Sequence, residues 1–309
     1  MSEKELFQAP WNFLGLPEDL AAPERARGWL LPIPYEATTS YGAGTRNGPA
    51  AINAASRQVE LFDREFDGEP AMQYGVHTMN PLALAHKSPE TMVKSIADVV
   101  QKTLSGTPKP EVLAALGGEH TVSAGIARGL AEVLPKGSLA CVQVDAHADL
   151  RDEYEGTPFS HACAARRILD VCPVFQIAIR NISAGEEPFR KKCRRVTTVF
   201  SEEATSPKGE FLKKLARFVK GKNVFLTIDL DGLDPSIMPA VGTPEPGGLS
   251  WERMLEVARV VCAGARSVPA FDVVELAPIP GFIAPDFLSA KLVYKIFSYI
   301  LLRRRTRKS

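Results

Sequence analysis

Short apolar runs alternate with helical segments along most of this chain of 309 residues. The runs Leu139–Val144 and Val174–Ile179 are typical of buried strands, because they are short, continuous and rich in β-branched residues. Segments such as Ser123–Leu134 and Trp251–Cys262 lie between such runs and are predicted to be helices. Strands joined by helices form βαβ units, which place a mostly parallel sheet between helices on both faces. We therefore predict an α/β fold.

The alternation continues without a linker rich in Pro, Gly or Ser, so we predict a single domain over residues 1–309. Residues 1–25 are interpreted as an N-terminal extension and residues 303–309 as a basic tail. The stretch Phe287–Leu302 is too short to cross a bilayer, and its four-residue apolar spacing indicates a helix on a core. Cations beyond that helix complement its dipole, an interpretation that we prefer to a nucleic-acid patch.

Composition bears on the partners and the compartment. The formal net charge of +1 gives no reason to expect nucleic acid. The first residues include acidic side chains and no apolar segment, so we do not expect a signal peptide. The five cysteines lack CxxC spacing and indicate reduced thiols in a cytoplasmic protein away from membranes. A catalytic thiol at Cys163 is an alternative, but a small buried residue is the commoner role.

Two acidic clusters, Asp145–Asp149 and Asp229–Asp234, each follow a strand-like run directly. Alternate side chains of an extended chain share a face, so each cluster can direct its acids to one side. His120 and Glu275 stand at or after the ends of two further predicted strands. Because open α/β sheets bind ligands at the carboxyl ends of their strands, we expect these four ends to converge on one crevice.

Several carboxylates at one buried place repel each other and lose hydration, and a bound cation is the simplest compensation. Helix capping or turn formation is the alternative for an aspartate, and we prefer it only for Asp234. Oxygen ligands with a few imidazoles suit Mn²⁺ better than structural zinc. The groups are too many for one ion, so we predict two Mn²⁺ with bridging aspartates. The predicted ligands are His120, Asp145, His147, Asp149, Asp229 and Asp231.

The charge of this site predicts the charge of its substrate. Two divalent cations would balance the four aspartates, and a bridging hydroxide together with Glu275 would make the site negative. A negative site attracts a cationic substrate. Two metals about 3.5–4 Å apart lower the pKa of a shared water, so we predict metal-assisted hydrolysis of a cationic group.

With these residues assembled, the chain resembles the ureohydrolase family of arginases and agmatinases. The resemblance covers most of the chain from about residue 31 onwards. The matching segments are TSYGAGTRNGPAAI at 39–52, GGEH at 117–120, DAHADLR at 145–151, TIDLDGLDPSIMPAVGTPEPGGLSW at 227–251 and DVVELAP at 272–278. The resemblance implies a three-layer α/β/α fold, a binuclear manganese centre and a homo-oligomer, either a trimer or a hexamer.

The resemblance also implies roles for residues outside the ligand set. Glu275 would bind the substrate guanidinium, which a carboxylate holds by paired hydrogen bonds. His161 would bind substrate and, with Asp149, transfer protons, as a side chain that titrates near neutral pH can. Without the resemblance, Glu275 could be a salt-bridge partner and His161 a helix N-terminal residue. Thr243 lies in a Pro- and Gly-rich loop that we expect to cover the crevice and contact substrate.

PEPGGLS and DAHADLR look more like agmatinases than arginases, so agmatine, cleaved to putrescine and urea in polyamine biosynthesis, is the predicted substrate. The acids Asp152, Glu153 and Glu155 would favour a distal ammonium, although they could equally be solvated loop charges. Glu119 of GGEH replaces the commoner aspartate and is expected to alter the surroundings of His120. Arginine, guanidinobutyrate or N(1)-aminopropylagmatine are alternative substrates, and a catalytically silent homologue is the rival of another class.

Overall fold

The computed structural model describes residues 11–83 and 88–302, so part of the predicted extension and the predicted basic tail lie outside the described residues. Eight strands form one sheet, and every pair of neighbouring strands is parallel. The strands are β1 (Gly28–Ile33), β2 (Val76–Thr78), β3 (Val112–Gly117), β4 (Leu139–Val144), β5 (Val174–Ile179), β6 (Val196–Phe200), β7 (Asn223–Asp229) and β8 (Ser267–Val274). Their order across the sheet is β2-β1-β3-β8-β7-β4-β5-β6.

Helices cover both faces of this sheet. Along β3, Val112, Ala114 and Leu116 pack into one apolar core, whereas Leu113 and Ala115 pack into another. Alternate residues of a strand point to opposite faces, so the two cores lie on opposite sides of the sheet. The α-helices of the described part of the chain are α1 (Glu18–Ala21), α2 (Gly48–Ser56), α3 (Pro70–Tyr74), α4 (Pro89–Ser105), α5 (Val122–Val133), α6 (Ala164–Ile168), α7 (Glu187–Lys192), α8 (Ser201–Ala204), α9 (Phe211–Val219), α10 (Trp251–Gly264) and α11 (Ala284–Leu301).

The predicted α/β fold with a mostly parallel sheet and three layers is confirmed. Side chains of α2, α9, α10 and α11 belong to the first core, and those of α4, α5 and α6 to the second. Continuous apolar runs fit such a sheet, because its central strands are buried on both faces. None of the helices within residues 11–83 and 88–302 is both long and apolar enough to cross a membrane.

The described part of the predicted N-terminal extension packs against the rest of the chain. Phe13 and Leu16 are fully buried, and the ring of Phe13 lies 6.2 Å from that of Phe297 in α11. The backbone N–H of Leu14 donates to the Ser56 hydroxyl at the end of α2. Residues 13–16 therefore contribute to the core on the α11 face of the sheet.

Candidate metal centre

The strand ends that carry the predicted ligands are consecutive neighbours in the sheet. Their strands β3, β8, β7 and β4 occupy its centre in that order. His120 comes three residues after β3, Glu275 directly after β8, and Asp229 ends β7. Since parallel strands end at the same edge, these side chains meet there. The structure thus brings all four strand ends to one place, as the sequence pattern indicates.

His120 lies at the centre of the first ligand group. Its Nδ1 is 3.1 Å from an Asp145 oxygen, 3.2 Å from an Asp149 oxygen and 3.1 Å from an Asp229 oxygen. Its Nε2 lies 3.0 Å from the hydroxyl of Thr227. An imidazole that donates from Nε2 to this hydroxyl leaves the lone pair of Nδ1 available to a cation held between it and the three carboxylates.

His147 forms the second ligand group with Asp231 and Asp145. Its Nδ1 is 2.9 Å from Asp231 and 3.7 Å from Asp145. One ligand atom each from His120, Asp145 and Asp149 lies within 4.8 Å of the others, and the same holds for Asp145, His147 and Asp231. Asp145 belongs to both groups and would contact both ions if each group held one.

The backbone reaches this arrangement differently from the extended trace that the alternation of residues 145–149 suggests. β4 ends at Val144, and Asp149 has a positive φ of 51°. Asp231 lies in a 3₁₀ turn, Leu230–Gly232, and its own N–H donates to the Asp229 side chain at 2.9 Å. Glu275 also has a positive φ, 66°. Non-glycine residues adopt this conformation only where the surroundings enforce it, which happens most often at functional sites.

Hydrogen bonds hold the carboxylates in place. Asp231 accepts the N–H of Ala146 at 2.9 Å, which ties the end of β7 to the end of β4. The side chain of Gln143 donates to Asp145 at 2.7 Å, and Gln176 of β5 donates to Gln143 at 2.9 Å. These groups are fully buried. Buried polar chains of this kind fix the orientation of the ligands before any ion binds.

The electrostatics of the cluster fit a cation. Burial and then the charge of Asp145 raise the pKa of Asp149 to about 7. Burial lowers the pKa of His147, but Asp145 and Asp231 outweigh it and raise this pKa to about 12. Three carboxylate oxygens surround Nδ1 of His120, and one nitrogen cannot satisfy them all. This set of oxygen and imidazole donors suits a hard or borderline divalent ion.

Glu275 is 8% exposed and lines the same cleft as the ligand groups. Its Oε1 accepts the backbone N–H of His120 at 2.5 Å, and its own N–H donates to the carbonyl of Gly118. These bonds join the ends of β8 and β3. Glu275 is thus held by backbone groups, and within the described residues its carboxylate has no ion pair with Lys or Arg. The alternative of a structural salt bridge is therefore not supported.

His161 lines the same cleft and stands at the start of a 3₁₀ turn, His161–Cys163. Its N–H donates to the Thr38 hydroxyl at 3.1 Å, and its Nδ1 and Nε2 lie 3.4 Å from the hydroxyls of Thr38 and Ser40. Burial lowers its pKa. A neutral imidazole with hydroxyl neighbours at both nitrogens can accept or donate a proton.

Further residues that line the cleft, which together with His161 we call the wall, come from segments far apart in the chain. The predicted substrate residue Thr243 is part of it, and the loop of Thr243 packs closely on another wall loop, because a Cβ at Gly42 would lie 2.7 Å from the Gly242 carbonyl. The wall consists of Thr39, Ser40, Tyr41, Gly42, Arg151, Tyr154, His161, Asn181, Ser183, Glu186 and Thr243.

Sequence reasoning missed most of this wall. Asn181, Ser183 and Glu186 follow β5, whose continuous apolar run predicts a strand. The rule that ligands gather at strand ends could have pointed to them. Ser40 and Tyr41 lie in the segment 39–52 that resembles the ureohydrolases, but that resemblance gave them no role, because their loop reaches the cleft only through tertiary contacts.

The acids of the 152–155 segment do not face the cleft. Asp152, Glu153 and Glu155 are exposed, and Asp152 pairs with Arg167 at 2.7 Å. Arg151 and Tyr154 line the cleft in their place. Of the two interpretations of these acids, the structure therefore supports solvated loop charges over selection of a distal ammonium.

Two further alternatives are settled by position. Asp234 accepts the N–H groups of Ser236, Gly247 and Gly248, which makes it a turn residue. The thiol of Cys163 is fully buried, and burial raises its pKa to about 11. Such a thiol is a packing residue rather than a nucleophile.

Known proteins resemble this chain along most of its length. Residues 27–298 match the model of the arginase family. The N(1)-aminopropylagmatine ureohydrolase of Synechocystis sp. is 37% identical over 275 residues, covering 87% of this chain and 88% of the relative. The agmatinase of Halalkalibacterium halodurans is 32% identical over 258 residues, covering 82% and 85%. The crystal structure of agmatine ureohydrolase of Thermoplasma volcanium superposes with a TM-score of 0.79 at 27% identity, covering 97% and 98%.

Proposed function

The chain belongs to the arginase family of hydrolases, and on that premise we propose that it cleaves the guanidinium group of agmatine to putrescine and urea with two Mn²⁺ ions. The observation that carries this proposal is the position of Glu275. This buried carboxylate lies in one cleft with both ligand groups and bonds to the backbone of His120. A carboxylate beside a binuclear site gives a cationic, planar group both an electrostatic and a hydrogen-bonding partner.

Residues of this chain then perform distinct tasks. When bound, the two cations supply a water of lowered pKa and positive charge next to the reacting carbon. Glu275 orients the guanidinium by paired hydrogen bonds. Asp149 and His161 transfer protons so that the amine can leave. Thr243 contacts the substrate from its loop, and the wall limits the access of bulk water.

A second buried carboxylate gives the distal ammonium of agmatine a partner. Glu186 is 5% exposed and lines the cleft. It accepts the N–H of Leu150 at 2.8 Å and the N–H of Ser183 at 2.9 Å, so its orientation is fixed. Arg151 lies 3.9 Å away and offsets part of its charge. This carboxylate takes the place of the loop acids that the sequence suggested.

N(1)-aminopropylagmatine is a second candidate substrate, and the 37% identity to the Synechocystis relative favours it. This substrate carries a longer tail with an additional ammonium. Tyr41 stands 86% exposed at the cleft. An aromatic ring attracts an ammonium group within about 6 Å of its face.

A substrate panel tests the proposal. Protein saturated with Mn²⁺ is given agmatine, N(1)-aminopropylagmatine, arginine and guanidinobutyrate, and urea release is measured. We expect kcat/KM for agmatine to exceed that for arginine and guanidinobutyrate by at least about tenfold, or about 1.4 kcal/mol. A tenfold advantage for the aminopropyl compound selects the second candidate. Urea from none of the four, with Mn²⁺ bound, indicates a catalytically silent homologue and contradicts the proposal.

The expected trimer or hexamer follows from the resemblance and stays a prediction. Light scattering of the full chain checks it, and a monomer at all concentrations contradicts it.

A further inference from the structure

Glu119 is a fully buried carboxylate that lies next to His120 in sequence but belongs to neither metal group. Its oxygens accept four hydrogen bonds: from the N–H of Ala37 at 2.6 Å, from the N–H and the hydroxyl of Thr38, both at 2.7 Å, and from the Thr121 hydroxyl at 2.8 Å. Three of these four bonds come from the loop after β1. The expected effect of this glutamate on the surroundings of His120 stays a prediction.

Thr38 connects this carboxylate to His161. The Thr38 hydroxyl donates to Glu119 and accepts the N–H of His161 at 3.1 Å. The same oxygen lies 3.4 Å from the His161 ring nitrogen Nδ1. A hydroxyl whose hydrogen is directed to a carboxylate presents its lone pairs to its other neighbours. The order Glu119–Thr38–His161 therefore fixes both the loop and the imidazole.

We propose that Glu119 is a positioning residue that holds the loop 37–42 and, through Thr38, the ring of His161 at the cleft. The proposal deepens the proposed function, on which its catalytic consequence rests. Charge-assisted hydrogen bonds from two backbone N–H groups and two hydroxyls compensate the buried carboxylate without a cation. Glu119 thus links the end of β3, which is followed by His120, to the wall. Of two adjacent residues, His120 is a proposed metal ligand and Glu119 positions the proposed proton-transfer residue His161.

Glu36 provides a matched control, because it is a second carboxylate of the same loop with 8% of its side chain exposed. It accepts the N–H of Gly44 at 2.6 Å and bonds Thr45 and Arg46. These contacts close the far end of the loop on itself. Glu36 therefore tests the effect of losing a loop carboxylate without removing the connection to Thr38.

Hydrogen exchange tests the positioning role without any activity. In Glu119→Gln, an amide replaces an acceptor of two N–H groups. Amide exchange in residues 37–42 should therefore rise at least about tenfold, while amide exchange in α11 should not change. Glu36→Gln should raise exchange at residues 44–46 instead. Unchanged exchange at 37–42, or a rise of equal size throughout the chain, overturns the proposal. This result stands even if no guanidine is hydrolysed.

A double-mutant cycle then tests the link to His161. Misplacement of a reacting group costs up to about 100-fold, so Glu119→Gln and Thr38→Val should each lower kcat by about 10- to 100-fold. In a His161→Asn background, the same changes should cost less than about twofold. In the chain that keeps His161, Thr38→Ser retains the hydroxyl and should have a kcat close to that of the wild type. The loss from Glu36→Gln should be equal in both backgrounds. Equal losses from Glu119→Gln in both backgrounds contradict the link, whereas a wild-type protein without urea release contradicts only the proposed function.

Discussion

The metal groups and the wall face the same cleft, but they are built in different ways. The metal groups come from short motifs at the ends of neighbouring strands, and Asp145 takes part in both groups. The wall is assembled from loops after β1, β4, β5 and β7, which hydrogen bonds over long sequence separations hold together. Asn181, for example, donates to Glu245 in the loop of Thr243, 64 residues away.

The fold determines the position of the metal groups, whereas individual side chains determine the shape of the wall. A sheet edge places the ligands wherever the strands end, so the metal chemistry depends on few degrees of freedom. The wall depends on single carboxylates and their donors. We therefore expect substitutions among the metal groups to abolish chemistry, whereas substitutions in the wall change rate or substrate preference by degrees.

The largest effect is expected at Asp145, the shared ligand. Asp145→Asn should lower kcat/KM by at least about 1000-fold, because metal-ion catalysis supplies several kcal/mol. It should also reduce the bound Mn²⁺ from two ions per chain to fewer than one, measured by elemental analysis. Asp234→Asn is the matched control within the second acidic motif and should keep both ions. Full occupancy in the Asp145 variant would disprove its bridging role.

The sequence predicted the metal groups more completely than the wall for a physical reason. Each ligand motif directly follows a buried strand, so local pattern and tertiary position coincide. The strands β2 and β6 were not predicted, because Val76–Thr78 is very short and the edge strand Val196–Phe200 is interrupted by two adjacent threonines. The contacts of Glu119 with Ala37 and Thr38 depend on how distant segments of the chain meet, which no local pattern encodes.

The next effect contrasts the two carboxylates that line the cleft. Glu275→Gln should lower kcat/KM for every guanidine by at least about 100-fold, since it removes a charge next to the reacting group. Glu186→Gln should mainly raise KM for agmatine and affect guanidinobutyrate, which lacks the ammonium, much less. Steady-state kinetics with both substrates measure the contrast. Equal losses for both substrates in Glu186→Gln would place Glu186 at the chemistry rather than at the tail.

A smaller effect, on stability, is expected where the metal groups meet the wall. A Cβ at Gly118 would lie 1.9 Å from the Tyr35 carbonyl oxygen, so the two backbones approach as only glycine permits. Gly118→Ala should lower the free energy of unfolding by about 1–3 kcal/mol. Gly68→Ala is the control, because its nearest neighbour is 4.0 Å away. Denaturant unfolding compares both, and equal stability of the two variants would show that the loop yields freely.

The smallest effect concerns Glu65, a carboxylate whose charge is balanced by the side chains of Arg259 and Lys295. Burial raises the pKa of Glu65, but hydrogen bonds from Arg259, Lys295 and Tyr299 outweigh it and lower this pKa to about 2. Its contribution to stability is present above pH 4.5, the ordinary value, and is lost as pH falls towards 2. Glu65→Gln should cost no more than about 1 kcal/mol at pH 7, and less at pH 3.

Unfolding of wild type and Glu65→Gln at the two pH values measures this, with and without Mn²⁺. The difference should not depend on the metal, unlike any difference among the metal ligands. A cost that grows as the pH falls would contradict the sign of the pKa shift.

The most direct test of the binuclear hydrolase is a titration of metal-depleted protein with Mn²⁺, followed by calorimetry and by urea release from agmatine. The account predicts two bound ions per chain, no urea before metal is added, and full activity only when both ions are bound. Urea release at the full rate by metal-depleted protein, or saturation with less than one ion per chain, would contradict it.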